Sequence, residues 1–273
     1  MSAPALANAT DAPILLREMA GPVAVLTLNR PAQRNSLSEA LIAELHHALA
    51  EISADKAVRA VVIAANGPAF CAGHDLKELT AHRADADRGR AFFARLMHAC
   101  SAMMQAIVQL PKPVVASVQG IATAAGCQLV ASCDLAVASE RAAFATPGVD
   151  IGLFCSTPMV ALTRNVSRKQ AMEMLLTGEP VPATRAREMG LINRVVAAGT
   201  ERDAAIALAQ QVARKSAHTI KLGKEAFYRQ AEMSLADAYR YAAEVMTENM
   251  LARDAEEGIG AFIEKREPTW RDE

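Results

Sequence analysis

The sequence has no excess of either charge and no long hydrophobic run. Its 273 residues include 29 Lys and Arg against 30 Asp and Glu, and the pI is about 6.6. A chain balanced in this way offers no electrostatic field to nucleic acid or to an anionic lipid surface. No stretch approaches the roughly 20 apolar residues that a membrane helix needs. We therefore predict neither a nucleic-acid partner nor a membrane span.

The first residues give no indication of a targeting signal. The segment MSAPALANATDAPILL contains no Lys or Arg and no long apolar run, so neither a secretory signal nor an Arg-rich transit peptide is indicated. The five cysteines are an odd number, which argues against a disulfide framework. We therefore predict reduced thiols and a cytoplasmic location.

Motifs of several enzyme classes are absent as well. There is no G-x-S-x-G segment, and GIATAAG differs from the dinucleotide-binding pattern G-x-G-x-x-G, which leaves a Rossmann domain as a weak alternative. His46 and His47 are neighbours on a helix and cannot face one ion together. We predict no metal site and no bound cofactor.

The centre of the chain contains a strand, a turn of small residues and a helix start, in that order. Val114–Val118 is an apolar, β-branched run of strand length. Ala124, Ala125 and Gly126 follow with almost no side chain, and CQLVASC then has a helical pattern. The start of a helix carries free N–H groups and partial positive charge, so it can stabilise an oxygen that is becoming negative.

A second junction of this kind lies upstream. Residues 58–65 (VRAVVIAA) have the pattern of a buried strand, and AFCAGHDLKEL follows shortly after. Gly73 permits a sharp turn, and Asp75 can cap the helix that LKEL starts. The N–H of His74 is then free. Two such backbone donors that converge on one carbonyl oxygen would make an oxyanion hole.

The rest of the chain alternates strands and helices. A strand at residues 23–28 precedes a helix capped by Ser38, another helix is predicted to open at Ser156, and everything beyond Thr200 has a helical pattern. Because strand-strand-helix units recur, we predict an α/β fold made of coiled β-β-α units. Residues 1–12 are small and polar and are predicted to form a flexible arm.

These segments resemble the crotonase (enoyl-CoA hydratase/isomerase) superfamily. AFCAGHDLKEL is similar to its first oxyanion segment and QGIATAAGCQLVASCDLAVAS to its second, while LNRP, FATPGVDIGL and DAEEGIGAFIEKREPTW fit as well. The resemblance implies a spiral core over residues 13–199 and a helical segment over 200–273. That segment would pack against neighbouring subunits in a homo-trimer or hexamer, with Val245, Met246 and Met250 at the interface.

The resemblance also implies a ligand. An acyl-CoA or enoyl-CoA would bind with its thioester oxygen held by the N–H groups of His74 and Ala125, and would be the substrate or ligand rather than a separate cofactor. The family binds CoA along the backbone of these segments and places its phosphates near basic side chains. The matching or neighbouring positions are Arg30, Arg34, Ala72, Gly73, Asp75, Leu76, Lys77, Thr123 and Gly126.

The two glutamates that hydratases of this family use are missing. Their positions fall on Gln128 and Gly148, and neither residue can ionise. General acid–base catalysis contributes about 10² to 10⁴-fold, so we expect little ordinary hydratase turnover. Asp150 lies two residues beyond Gly148, and an extended backbone would let it reach the cavity that glycine leaves. A capping or ion-pairing role explains Asp150 equally well, and His74 would act through its N–H or as a titrating side chain.

Two functions remain open at this point. The first is an acyl-CoA enzyme with an altered acid–base set, acting as a lyase, isomerase or thioester hydrolase. The second is a non-catalytic member that binds acyl-CoA or a partner protein. Gln128 and Gly148 favour binding, whereas the intact turns and Asp150 favour catalysis. Cys127 and Cys155 are interpreted as small buried thiols, with nucleophiles as the alternative.

Overall fold

The computed structural model describes residues 12–273, so the predicted arm at 1–12 lies outside the described residues except for its last position. Within this range the strands are β1 Leu15–Ala20, β2 Val23–Leu28, β3 Ala60–Ala65, β4 Ala69–Cys71, β5 Val114–Val118, β6 Ile121–Thr123, β7 Leu135–Ser139, β8 Ala143–Ala145, β9 Val181–Pro182 and β10 Arg194–Val196. The helices are α1 Glu39–Ala54, α2 Leu76–Ala81, α3 Arg90–Gln109, α4 Ala125–Ser132, α5 Pro158–Leu162, α6 Arg168–Thr177, α7 Ala183–Met189, α8 Glu201–Ala213, α9 Ala217–Gln230, α10 Leu235–Leu251 and α11 Arg253–Glu264. Short 3-10 turns occupy Pro31–Gln33, His82–Ala84 and Pro147–Ile151.

The strands form two sheets that the chain visits in turn. One sheet has the order β1-β2-β3-β5-β7-β10 and the other the order β4-β6-β8-β9. Apart from the antiparallel pairs β1–β2 and β8–β9, neighbouring strands are parallel. Successive pairs such as β3 and β4, or β5 and β6, place one strand in each sheet before the next helix. This arrangement confirms the predicted α/β coil of β-β-α units.

The larger sheet is buried on both faces, as a parallel sheet covered by helices requires. Alternate residues of its strands, such as Leu26 and Ile63, join one hydrophobic cluster with α1 and α3. The residues between them, such as Val25 and Val62, pack with α8. The C-terminal helical region therefore begins with a helix that completes the core.

Local signals in the sequence predicted some element starts correctly and missed others. Ser38 caps α1 and accepts a hydrogen bond from the Leu41 N–H at 3.2 Å, as predicted. A helix does start at Pro158, as predicted, but Thr157 precedes it and the expected cap Ser156 instead donates its hydroxyl to the Phe154 carbonyl. Strand β1 was not predicted; it is the half-exposed edge strand that pairs with β2.

Helix α3 is the one helix among residues 12–273 that is long and apolar enough, by composition, to cross a membrane. Its apolar face includes Phe92, Leu96 and Ile107, all of which are buried. That face joins α1 in the main hydrophobic cluster. A helix in the core of a globular protein passes the same composition test.

Helices α8 to α11 occupy the region beyond Thr200, as predicted. A partly buried ion pair attaches α9 to the core. The Lys224 ammonium donates to the Asp134 carboxylate at 2.7 Å and to the carbonyls of Ile107 and Lys112 at 3.0 Å each. The Tyr228 hydroxyl donates to the other Asp134 oxygen at 2.8 Å. One carboxylate thus holds the helical region against the end of α3.

The N-terminal end of α4 packs directly on the backbone of β4. A Cβ atom added at Gly126 would lie 2.1 Å from the Cys71 carbonyl oxygen and 2.8 Å from the Cys71 Cβ. These contacts are too short for any side chain. Position 126 therefore requires glycine because two backbone segments touch there.

We expect Gly126→Ala to lower the free energy of unfolding by about 1–3 kcal/mol or more, because the added methyl group forces α4 away from β4. Urea unfolding followed by circular dichroism measures the change. Gly223→Ala is the matched control, since a Cβ at this position in α9 meets no atom within 4 Å. The control should be neutral or more stable by up to about 1 kcal/mol. A Gly126→Ala protein as stable as the wild type would contradict the packing described above.

Candidate active site

The first predicted donor lies in the turn between β4 and α2. Gly73 has a φ of +83°, in the left-handed region, and Asp75 caps α2 by accepting hydrogen bonds from the N–H groups of Lys77 and Glu78. Leu37 donates to the Gly73 carbonyl at 2.7 Å and accepts from the Asp75 N–H at 3.2 Å. These two hydrogen bonds pair Leu37 with the segment around His74 and use Gly73 and Asp75, the residues on either side of it. The His74 N–H makes no hydrogen bond to any described residue.

The second predicted donor is the first residue of α4. The Ala124 N–H donates to the Ala145 carbonyl at 2.9 Å, and Ala124 has φ +49° and ψ −117°, which an alanine rarely adopts. Ala125 comes next, and its N–H has no partner among the described residues. All eight residues of α4 are buried. The positive end of this helix is therefore shielded from water, where its partial charge acts most strongly.

The two turns are in direct contact. A Cβ added at Gly73 would lie 3.0 Å from the Ala124 Cβ, 3.1 Å from the Thr123 carbonyl oxygen and 3.3 Å from the Ala125 nitrogen. With the contact between Gly126 and Cys71, this places both backbone segments side by side. The unpaired N–H groups of His74 and Ala125 thus come from two backbone segments that touch. Such a pair can stabilise one carbonyl oxygen as it gains negative charge.

Arg30 supports the first turn from outside. It donates to Asp75 at 3.1 Å and to the Ser36 carbonyl at 2.6 Å, and the Ser36 hydroxyl donates to the same Asp75 oxygen at 3.1 Å. Burial alone would raise the pKa of Asp75, but the hydrogen bonds from Arg30 and Ser36 outweigh it and lower the pKa below its usual value. Asp75 is therefore a firmly ionised cap. Arg30, which the resemblance assigned to CoA binding, is occupied by this network.

Asn35 is a further support that the sequence interpretation missed. Its side chain is fully buried, donates to the carbonyls of Asn66 and Ala69 at 2.8 and 2.9 Å, and accepts from the Arg30 N–H at 2.8 Å. It therefore joins the loop after β2 to the entrance of β4. The sequence showed only an Asn in the loop after LNRP. Its role became clear from its burial, because a buried amide must find several hydrogen-bond partners.

Three polar side-chain atoms near these turns are buried without a hydrogen-bond partner among the described residues. They are His74 Nε2, Gln128 Oε1 and Thr146 Oγ1. Gln128 lies one turn into α4, and Thr146 directly follows β8, whose last residue Ala145 binds the Ala124 N–H. Unpaired buried polar atoms are rare and costly, so their concentration here indicates a place where a polar ligand binds. Thr146 was not predicted; its signal was a hydroxyl at the end of a buried strand.

The imidazole of His74 is uncharged at neutral pH. Burial lowers the pKa of His74 below its ordinary value. The ring was expected to titrate near neutrality or to contribute only through its backbone. The structure buries Nε2 without a hydrogen-bond partner among the described residues, and the role through the backbone N–H stays a prediction.

Neither expected glutamate position offers a carboxylate, and Gly148 offers no cavity. A Cβ at Gly148 would lie 2.9 Å from the Leu153 carbonyl oxygen and 3.0 Å from the Cys155 sulfur. The expectation that glycine leaves a space was therefore wrong, because the segment 153–155 folds back over it. Gln128 is 5% exposed and presents an amide at the other position.

The backbone conformation that was assumed when Asp150 was placed in the site does not occur. The argument assumed an extended backbone, whereas Pro147–Ile151 forms a 3-10 turn in which residues two apart do not share a face. Asp150 is exposed, and a Cβ at Gly178 would lie 3.1 Å from its carboxylate oxygen. Its carboxylate therefore lies beside the end of α6.

The nearby cysteines are protonated thiols. Burial raises the pKa of Cys127 to about 12 and of Cys71 to about 12, and burial also raises the pKa of Cys155. All five cysteines are buried and free. A thiol that does not ionise is a poor nucleophile, which agrees with their interpretation as core residues.

The other positions suggested for CoA binding surround the first turn. Ala72 donates to the Arg34 carbonyl at 3.0 Å, so the exposed Arg34 side chain starts beside this turn. Lys77 and Leu76 are exposed in the first turn of α2. Neither Arg34 nor Lys77 forms an ion pair with a described residue. These two side chains can meet an anionic group that approaches the site.

Comparison with known proteins identifies relatives over most of the chain. The rat protein named enoyl-CoA hydratase domain-containing protein 3, mitochondrial, is 46% identical over 245 residues, which cover 90% of this chain and 80% of that protein. The human protein of that name is 44% identical over 248 residues, 91% of this chain and 80% of its own length. Both names contain the word mitochondrial. The predicted cytoplasmic location is contradicted by this finding.

Solved structures agree with the fold and the family. A crystal structure of an enoyl-CoA hydratase from Mycobacterium smegmatis superimposes with a TM-score of 0.90 at 50% identity, covering 95% of this chain and 99% of that one. The human enoyl Coenzyme A hydratase domain-containing protein 3 gives 0.90 at 43% identity, covering 94% and 100%. The family model described as enoyl-CoA hydratase/isomerase matches residues 18–273. The chain therefore belongs to the enoyl-CoA hydratase/isomerase family, the crotonase superfamily.

Proposed function

We propose that this protein binds an acyl-CoA or enoyl-CoA with its thioester oxygen between the N–H groups of His74 and Ala125. The observation that carries the proposal is that both groups are unpaired and come from turns in direct contact. Charge that develops on the oxygen when the thioester becomes an enolate is met by two donors and by the buried start of α4. The names of the relatives, which refer to enoyl-CoA hydratase, support a CoA thioester as the ligand.

Ordinary hydration of the enoyl group would be slow at this site. Hydration requires groups that remove a proton from water and deliver one to carbon. An amide at Gln128 can orient water but cannot take its proton, and the space beside Gly148 is filled by the backbone at Leu153 and by Cys155. The chain keeps the groups that stabilise an enolate and lacks the carboxylates that would handle water.

A non-catalytic acyl-CoA-binding protein is the second candidate. The same two absences favour it, because binding needs the N–H pair but no acid or base. In both cases the phosphates of CoA would be met by Arg34 and Lys77, which are exposed beside the first turn. The candidates differ only in what happens to the bound thioester.

We also propose that the protein assembles into a homo-trimer or hexamer through its C-terminal helices. Helices α9 and α10 are 14 and 17 residues long, yet neither contains a buried residue within one protomer. Their exposed apolar side chains include Phe227, Tyr239 and Met246, which are 65%, 73% and 60% exposed. Apolar patches of this extent on helices are typical of protein interfaces. Met246 and Met250 thus lie on the surface, whereas Val245 is half-buried.

The purified protein should bind crotonyl-CoA and hydrate it more slowly than the turnover of about 1–10³ s⁻¹ typical of enzymes. Calorimetry measures binding, and the loss of enoyl thioester absorbance measures hydration. Ala125→Pro should weaken binding, because proline is tolerated at the first position of a helix but has no N–H. Hydration at an ordinary enzyme rate would contradict the role given to Gln128 and Gly148. Failure to bind any acyl-CoA would exclude both candidate functions.

The stability of the protein should fall as the pH drops below about 6.5, the pKa of an unperturbed histidine, partly because of His74. The lowered pKa in the fold means that the unfolded chain takes up a proton first, so this contribution is present above about pH 6.5 and is lost toward the folded pKa. Urea unfolding at several pH values should show a smaller slope for His74→Gln. His98→Gln, which changes an exposed histidine, should keep the wild-type slope. Equal slopes in both variants would show that the fold does not lower the pKa of His74.

Met246→Glu should reduce the molar mass of the assembly, because it places a charge at the apolar surface proposed to be an interface. Size-exclusion chromatography with light scattering measures the mass. Met19→Glu is the control, since Met19 is exposed at 47% on edge strand β1 rather than on a C-terminal helix. A wild-type monomer, or an unchanged mass for Met246→Glu, would exclude this interface.

A further inference from the structure

His74 contributes more to the site than a backbone donor. Its N–H is one of the two free donors, and the same residue buries its Nε2 without a partner among the described residues. The α-carbon of a thioester is bonded to the carbonyl carbon whose oxygen this N–H would hold. The side chain of His74 therefore begins beside the atom that loses a proton when an enolate forms.

The other groups near His74 cannot accept this proton. Gln128 and Thr146 carry an amide and a hydroxyl, which do not ionise at neutral pH. The Asp75 carboxylate is occupied by Arg30, Ser36 and the α2 N–H groups. The Glu78 carboxylate accepts from the Glu39 N–H at 3.0 Å, and Asp150 lies beside Gly178. The thiols of Cys71, Cys127 and Cys155 are buried. Among the described residues at the two turns, the imidazole is the one side chain suited to take up a proton.

We propose that His74 is the base of this site and removes the proton from the α-carbon of a bound acyl thioester. The inference rests on the proposed acyl-CoA binding and adds the group that makes the site reactive. Gln128 Oε1 and Thr146 Oγ1 also lack a hydrogen-bond partner among the described residues, so a bound ligand or water would supply one.

The proposed step is balanced without any further reactant. The α-carbon–hydrogen bond breaks and its proton forms a bond to the free imidazole nitrogen, giving an imidazolium. The electron pair of that bond becomes the carbon–carbon double bond of the enolate, and the carbonyl electrons move to the oxygen between the N–H groups of His74 and Ala125. Return of a proton from the imidazolium restores the thioester. Burial lowers the pKa of His74, so the ring is neutral and able to accept a proton at pH 7.

Exchange of the α-protons of butyryl-CoA with deuterium in D₂O tests the proposal. Butyryl-CoA has no double bond to hydrate, so exchange reports the base alone, and mass spectrometry or proton NMR follows it. The wild type should catalyse exchange. His74→Gln and His74→Ala should lose about 10² to 10⁴-fold of the exchange rate while still binding butyryl-CoA in calorimetry, because both variants keep the backbone N–H. His98→Gln should exchange as fast as the wild type, since His98 is exposed on α3.

The results separate this inference from the proposed function. Binding without exchange in the wild type would overturn the role of His74 and leave acyl-CoA binding in place. Exchange at the wild-type rate in either His74 variant would also overturn it. If butyryl-CoA does not bind to the wild type, the proposed function itself fails, and the inference fails with it.

Discussion

The site depends on the close approach of two backbone segments that lack side chains at the point of contact. Gly126 lies against Cys71 at distances that leave no room for a Cβ, and Gly73 lies tightly against Ala124 and Ala125. Only this approach brings an unpaired N–H from each turn into the same region. The unusual φ and ψ of Ala124 show that the contact is maintained against local strain of about 1–3 kcal/mol. The surrounding core must supply the energy that holds this conformation.

The two-sheet coil explains how the core does so. Strands β3 and β5 lie beside each other in the larger sheet, and their partners β4 and β6 pair in the smaller one. The two turns therefore begin from neighbouring strands, and their spacing follows from the sheet. Helix α4 is buried along its whole length, so water does not screen its N-terminal charge. Fold and electrostatics come from the same packing arrangement.

The sequence predicted the backbone of this site better than its side chains. Asp75 and Ser38 could be recognised as helix caps because a cap depends on a few consecutive residues, and the strand-turn-helix order is equally local. Gly148 and Asp150 were misjudged because their surroundings are set by a 3-10 turn and by the return of residues 153–155, which no local pattern reveals. Thr146 was missed because its importance appears only when β8 pairs beside the Ala124 turn. The fold class followed from recurring local units, whereas the chemical content of the site depends on long-range packing.

The uncharged character of the site determines which part of the family chemistry it can support. An anionic enolate next to a carboxylate is repelled by it, whereas an amide, a hydroxyl and a neutral imidazole add no opposing charge. A buried carboxylate also needs charged or hydrogen-bonding partners, and the segment 153–155 occupies the space where one would extend from position 148. With neutral groups, the negative charge is balanced by the paired N–H groups and the start of α4 alone. If His74 is the base, as proposed, the backbone donors set the stability of the enolate, and the basicity of the His74 imidazole sets the rate at which it forms.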